Sequence, residues 1–141
     1  MTTILIVDDH ASFRLQARAL LENQGFEVVG EAPDGLAAIE LAGLLRPEIV
    51  LLDIGLPDFD GFEVARKLAA GDAGPAVVLT SSREAAAYGP RLASSPALGF
   101  IAKDELSGPA LAALVARGRP LPERPLPEQP MPERQAPGPR S

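Results

Sequence analysis

Residues 48–61 read EIVLLDIGLPDFDG: four aliphatic residues run into Asp53, and a segment rich in glycine, proline and aspartate follows. Ile49, Val50, Leu51 and Leu52 leave no polar face, so the run reads as a short strand buried on both sides, as in a parallel sheet. Gly55, Pro57, Asp58, Asp60 and Gly61 then supply a turn-rich loop. The strand therefore delivers Asp53 to its carboxyl end.

The same unit repeats on either side. Ile4 to Val7 is an aliphatic run ending in Asp8 and Asp9, and residues 27–31 read as a second strand. Residues 76–79 form a fourth strand ending in Thr80, and residues 98–102 a fifth ending in Lys103. Between them lie helical patterns. Residues 12–24 carry Phe13, Leu15, Ala17, Leu20 and Leu21 on one face, with Gly25 placed to stop the helix. Residues 36–45 set Leu36, Ile39, Ala42 and Leu45 in register, and Arg46-Pro47 closes that helix. Residues 62–70 read as a third helix, and Pro109 suits the first turn of a last one ending near Arg117. Gly89-Pro90 interrupts residues 83–95, so the helix there is expected to be short or to begin near Pro90. Five strands alternating with five helices predict a three-layer, doubly wound α/β domain with a five-stranded parallel sheet.

In such folds ligands bind beyond the carboxyl ends of the strands. The residues there are Asp8, Asp9, Asp53, Thr80, Ser81 and Lys103. Each has an ordinary explanation as a turn former or a solvated side chain; their joint placement on one rim is harder to dismiss. Two carboxylates about 4 Å apart repel by roughly 4 kcal/mol at an effective dielectric near 20. Three together call for a proton or a compensating cation. With no cysteine and one histidine in the chain, that cation is hard and oxygen-loving, such as Mg²⁺. Mg²⁺ binds through one or two carboxylates together with phosphate oxygens, so the rim suits phosphoryl transfer. A carboxylate can act as the nucleophile, with a lysine and a hydroxyl sharing the phosphoryl charge. Asp53, after the most aliphatic strand, is best placed for that part, and the adjacent Asp8 and Asp9 can hold a metal from the side.

Four segments together carry a resemblance: ILIVDDH (4–10), IVLLDIGLPDFDGFEVARKL (49–68), VVLTSS (77–82) and GFIAKDEL (99–106). Residues 3–117 resemble the receiver domain of bacterial two-component response regulators, the fold also used by the chemotaxis regulator. The resemblance implies a flavodoxin-like (βα)5 fold with strand order 2-1-3-4-5. It implies Asp53 as the phosphorylation site, with Asp8, Asp9, Asp53 and the Gly55 carbonyl on Mg²⁺. Thr80 resembles the hydroxyl that meets the phosphoryl group, Lys103 its lysine partner, and Phe100 the aromatic that turns inward with the threonine. The phosphodonor it implies is a sensor histidine kinase or phosphotransfer protein. Three positions depart from the family pattern. Asp104 follows Lys103 where many members have proline, and Gly55 and Ser82 stand where side chains tune the lifetime of the aspartyl phosphate. An altered lifetime is therefore expected. His10, beside the acidic pair, is read as an ordinary loop histidine rather than a relay or metal residue.

Composition sets the remaining bounds. The 141 residues carry a net charge of −6. Residues 1–116 hold 8 Lys and Arg against 16 Asp and Glu, a net of −8; this argues against direct nucleic-acid binding, which needs clustered cations. The first apolar run is too short for a signal peptide or a membrane span, so a cytoplasmic protein is expected. From residue 120 the chain repeats PLPER, PLPEQ and PMPER, which predicts an extended, disordered proline-rich tail over 118–141. Residues 1–117 are the expected domain. No second domain follows in this sequence, so the output is expected through contact with an unidentified protein target, with room for a weak homodimer. The competing reading, a metal-dependent phosphatase using Asp53 transiently, would want an acid/base aspartate at position 55, where glycine stands.

Overall fold

A computed structural model describes residues 2–70, 74–83 and 87–118. Its strands are β1 (Thr3–Val7), β2 (Glu27–Ala32), β3 (Ile49–Asp53), β4 (Ala76–Ser81) and β5 (Gly99–Ala102). Its helices are α1 (Ala11–Asn23), α2 (Gly35–Leu45), α3 (Gly61–Leu68), α4 (Pro90–Ser94) and α5 (Gly108–Gly118), with a 3-10 turn over Lys103–Glu105. The strands pair in parallel in the order β2-β1-β3-β4-β5. This is the expected (βα)5 arrangement.

Alternation along the strands divides the core in two. Leu5, Val7, Val50, Leu52, Val77 and Leu79 face α2 and α3, with Tyr88 and Leu92 packed at the margin. Ile4, Ile6, Ile49, Leu51, Val78 and Ile101 face α1 and α5. A strand that fills both layers has no polar side, and β3 is buried along its whole length. That is why its sequence is aliphatic without alternation.

Helix starts and stops follow local chemistry. The Asp34 side chain accepts from Ala37 N–H and caps α2, and Asp60 accepts from Phe62 N–H and caps α3. Gly25 takes φ +93° after α1, a conformation that other residues adopt at a cost. Gly61 answers a different need: a Cβ there would lie 2.5 Å from Ile54 Cα and 2.7 Å from the Asp53 carbonyl oxygen. Only glycine lets α3 begin hard against the strand end that carries Asp53.

Three expected core positions are corrected. Leu15 in α1 is 70 % exposed, and Leu36 and Leu45 in α2 are 55 % and 38 % exposed. In α2 the buried face is Gly35 and Ala38 instead. Glu40 is the only charged residue in GLAAIELAGLL, so apolar spacing alone could not choose among its faces. α4 is short and starts at Pro90, as expected. α5 runs to Gly118, and the rest of the expected proline-rich tail lies outside the described residues. Among those residues no helix is long and apolar enough to cross a membrane.

Candidate functional site

β1 and β3 lie side by side, with Val7 opposite Leu52, so Asp8 and Asp53 emerge at neighbouring points of one sheet edge. Asp8 is fully buried and Asp53 is 4 % exposed. The Asp8 N–H still donates to Ala32 of β2 at 3.0 Å, and its carbonyl oxygen accepts from Arg14 Nη1 at 2.6 Å. Arg14 is itself fixed by Glu31, which also pairs with Arg18. The Asp8 backbone is thus clamped from both sides, and its carboxylate has little freedom to retreat from Asp53.

Thr80 is the register partner of Asp53 across β3 and β4. Its hydroxyl is buried and has no hydrogen-bond partner among the described residues. An unpaired buried hydroxyl costs roughly 1–3 kcal/mol, so Thr80 Oγ1 is suited to an acceptor that arrives later. Lys103, just past β5, brings Nζ to 2.6 Å from Asp8 Oδ2 and 3.6 Å from Asp53 Oδ2. The closer contact is an ion pair with the fully buried Asp8. The Phe13 ring lies 4.6 Å below the same ammonium and holds it by a cation–π contact.

The electrostatics follow from this crowding. Burial first, and the Asp8 charge second, push the Asp53 carboxyl above its ordinary value. The Gly55 N–H and Lys103 act against that shift, and Asp9 adds to it. The Gly55 N–H donates to Asp53 Oδ1 at 3.2 Å, and a Cβ at Gly55 would meet nothing within 4 Å. The space beside Asp53 that a side chain could fill is therefore open, and no acid/base group stands at position 55.

Asp8, Asp9, His10 and Asp53 each offer a ligand atom within 4.8 Å of the others. Three carboxylates, those of Asp8 and Asp53 buried and Asp8 Oδ2 paired with the Lys103 ammonium, are a donor set that fits a hard divalent cation. His10 is the residue whose placement the sequence did not reveal: its Nδ1 lies 3.0 Å from Asp8 Oδ1 and 3.1 Å from Asp9 Oδ1. Position in the chain gave only its adjacency; the rotamer that turns it onto both carboxylates depends on how β1 passes into α1. Phe100 lies in β5, apart from the acidic group, with its ring centroid 6.1 Å from that of Tyr88. Asp8, Asp9, Asp53, Gly55, Thr80 and Lys103 thus converge, while Phe100 belongs to a neighbouring aromatic cluster. A cavity of about 360 Å³ between α2 and α3, lined by Ile39, Arg46, Lys67 and Pro75 among others, contains none of these residues.

Two further carboxylates brace the loop after Asp53. Asp58 accepts from Gly35 N–H at 2.8 Å and Leu36 N–H at 3.0 Å, tying the loop to the start of α2. Asp60 caps α3 and pairs with Arg91 of α4. Their residue types are those of helix caps, but only the three-dimensional arrangement shows that Asp58 caps a helix 22 residues earlier in the chain.

The profile of the response regulator receiver domain matches residues 4–115. A putative transcriptional regulator of Pseudomonas aeruginosa is 40% identical over 114 residues, covering 80% of this chain and 55% of its own length. The virulence factors putative positive transcription regulator BvgA of Bordetella pertussis is 36% identical over 102 residues, covering 72% of this chain and 49% of its own. The chain thus spans about half the length of these curated relatives. Among solved structures, the signal receiver domain of the putative response regulator NarL from Mycobacterium tuberculosis superposes with a TM-score of 0.75 at 32% identity, covering 84% of this chain and 98% of that one. The response regulator domain of Thermotoga maritima CheB gives 0.72 at 28% identity, covering 84% and 96%. The parallel sheet with its acidic edge and these matches lead to one assignment: this chain belongs to the response regulator receiver domain family.

Proposed function

We propose that this receiver works in the cytoplasm, accepts a phosphoryl group on Asp53 from a sensor histidine kinase or phosphotransfer protein, and signals through protein contacts. The observation that carries this reading is the pairing of Asp53 with Thr80. A nearly buried carboxylate, with its pKa raised by burial and by Asp8, stands in register with a buried hydroxyl that lacks a partner among the described residues.

In the transfer, an ionised Asp53 oxygen attacks phosphorus, and an O–P bond forms as the donor's P–N bond breaks. The bonding pair leaves on the imidazole nitrogen. Lys103, now nearer Asp8 than Asp53, moves its ammonium onto one phosphoryl oxygen. Thr80 donates its hydroxyl to another. Asp8, Asp9, Asp53 and the Gly55 carbonyl would hold Mg²⁺, which when bound supplies charge neutralisation at the phosphoryl oxygens. The added charge and acceptors favour whichever arrangement of β4, β5 and α4 meets them best, so phosphorylation shifts a pre-existing balance of states. A phosphatase turning over small substrates is not supported, because Gly55 offers no acid/base side chain.

The test is incubation of the chain with acetyl phosphate and Mg²⁺, followed by intact mass. The expected result is a phosphoryl mass gain that is lost in Asp53→Asn and without divalent metal. No gain from acetyl phosphate or from any histidine kinase tried would overturn the reading, as would an undiminished gain in Asp53→Asn.

A further inference from the structure

Burial holds α4 only weakly, because none of its five residues is buried and only Leu92 packs, partly buried, on the margin of the core. Its attachment starts one turn earlier, at Tyr88. The Tyr88 hydroxyl lies 2.6 Å from Ser81 Oγ, and that same oxygen accepts the Arg83 N–H at 3.0 Å. The Tyr88 ring stands between Phe62 of α3, at 5.8 Å between centroids and 62°, and Phe100 of β5, at 6.1 Å and 54°. One side chain therefore touches β4, β5 and α3 at once.

Ser81 directly follows Thr80. Adjacent strand residues point to opposite faces. Leu79 packs on the α2 and α3 side with Tyr88, and Val78 on the α1 and α5 side, so Ser81 shares the Tyr88 face and Thr80 the other. A shift of the end of β4 that brings Thr80 Oγ1 to an acceptor must also carry Ser81 Oγ. Hydroxyl hydrogen bonds run only to about 3.0 Å, so a displacement on the order of 1 Å separates a pair that stands at 2.6 Å.

We propose that the Ser81–Tyr88 hydrogen bond ties α4 to the phosphoryl site: it is made in the unphosphorylated protein and breaks when Asp53 is loaded, freeing Tyr88 from its place between Phe62 and Phe100. The inference rests on the reading of Asp53 as the phosphoacceptor and adds how that site is read out. Loss of one neutral hydrogen bond corresponds to a change of about 2- to 12-fold in the ratio of two states, enough to move α4 between held and released forms.

The chain carries one tyrosine and no tryptophan, so its tyrosine emission reports Tyr88 alone. The full chain is treated with acetyl phosphate and Mg²⁺; intact mass measures loading, and iodide quenching of the emission measures release. Quenching is expected to rise about twofold or more with loading. Ser81→Ala is expected to show the released level before loading and to lose most of the response. Tyr88→Phe keeps the ring and removes the hydroxyl; its residues 91–94 are expected to exchange amide hydrogens faster than wild type before loading and to change little on loading. This second variant serves if Ser81→Ala does not fold. A full mass gain with unchanged quenching overturns the inference while leaving Asp53 as acceptor. A full quenching response in Ser81→Ala also overturns it. Absence of any mass gain in the wild type removes the phosphoacceptor reading and this inference with it.

Discussion

β3 and α4 are each five residues long, and they are held in opposite ways. Every residue of β3 is buried and the strand is paired on both sides, with β1 and with β4. No residue of α4 is buried, and its fixings among the described residues are the Arg91–Asp60 ion pair, the Arg91 guanidinium 4.3 Å over Phe62, the partly buried Leu92 and the nearby Tyr88. Fully burying a Leu, Ile or Val contributes about 1.5–3 kcal/mol, whereas an exposed ion pair contributes about 0–1 kcal/mol. The strand can therefore impose an unfavourable position on the Asp53 carboxylate, while the helix can be released by losing one or two contacts. The phosphoryl switch proposed for Asp53 would use both properties, a stiff place to load and a loose place to read.

The hardest way to break this contrast is to open a cavity under the site. Leu51 is fully buried in β3, and Leu51→Ala is expected to lose roughly 2–5 kcal/mol in urea unfolding. Leu92→Ala, in α4 and only partly buried, is expected to lose less than about 1 kcal/mol. Equal losses would mean that α4 is as firmly packed as the central strand.

A smaller effect comes from Gly61, where the stiff region meets the loop. Gly61→Ala drives a Cβ into the Ile54 and Asp53 backbone, and such overpacking costs roughly 1–3 kcal/mol. Because it displaces the strand end itself, it is also expected to slow phosphoryl uptake from acetyl phosphate. The control is Gly43→Ala in α2, where a Cβ meets nothing within 4 Å. That change is expected to stabilise the protein by about 0.5–1 kcal/mol, with uptake unchanged. Slower uptake in both would place the Gly61 effect outside the site.

Smaller again is the strain stored in Asp53. Its folded pKa is raised, first by burial and then by Asp8. Its contribution to stability is therefore full below the ordinary carboxylate pKa and is lost as pH rises through the raised folded value. At neutral pH without metal the charge is a liability, and Asp53→Asn is expected to raise the melting temperature. A gain of roughly 1 kcal/mol would appear as about 4 °C in a domain of this size. The gain is expected to vanish at pH values below the ordinary carboxylate range, and to shrink when Mg²⁺ is added to the wild type. A variant less stable than wild type at pH 7 in chelator would show that Asp53 is not held under strain.

The contrast also explains what was legible in the sequence. The aliphatic runs 4–7, 49–52 and 76–79 have no alternative but burial, so the strands, and hence Asp8, Asp53 and Thr80 at their ends, could be read directly. α2 could be recognised as a helix but not oriented, because a segment apolar on nearly every side leaves Leu36 and Leu45 indistinguishable from Ala38. The polar and aromatic ties were invisible for a different reason. The Tyr88–Ser81, Arg91–Asp60 and Asp58–Gly35 contacts depend on rotamers and on segments 7, 31 and 23 residues apart, and no local periodicity encodes such pairs. Asp34 and Asp60 were the exceptions within reach: an aspartate just before an apolar helical run is an N-cap signal.

The smallest effect expected is also the cleanest separation of the two regions. Arg91→Gln removes the ion pair to Asp60 and the cation over Phe62 but leaves the Asp60 cap on Phe62 N–H, at 2.8 Å, intact. Burial raises the Asp60 carboxyl, and the Arg91 and Phe62 hydrogen bonds with the Arg91 and Arg66 charges outweigh it, so the net shift is downward. The stability tied to this group is thus present above the ordinary carboxylate pKa and lost as pH falls through the lowered folded value. Both partners are about half exposed, so solvent and salt screen the pair, and a loss of only about 0.2–1 kcal/mol is expected, less at high salt. In Arg91→Gln the Asp60 titration followed by NMR should move up toward the ordinary range. Amide exchange should quicken across residues 91–94 and stay unchanged across 49–53, with phosphoryl uptake at Asp53 also unchanged. Faster exchange in β3 would mean that the ties on α4 also brace the loading site, and the two regions would then have to be treated as one cooperative unit.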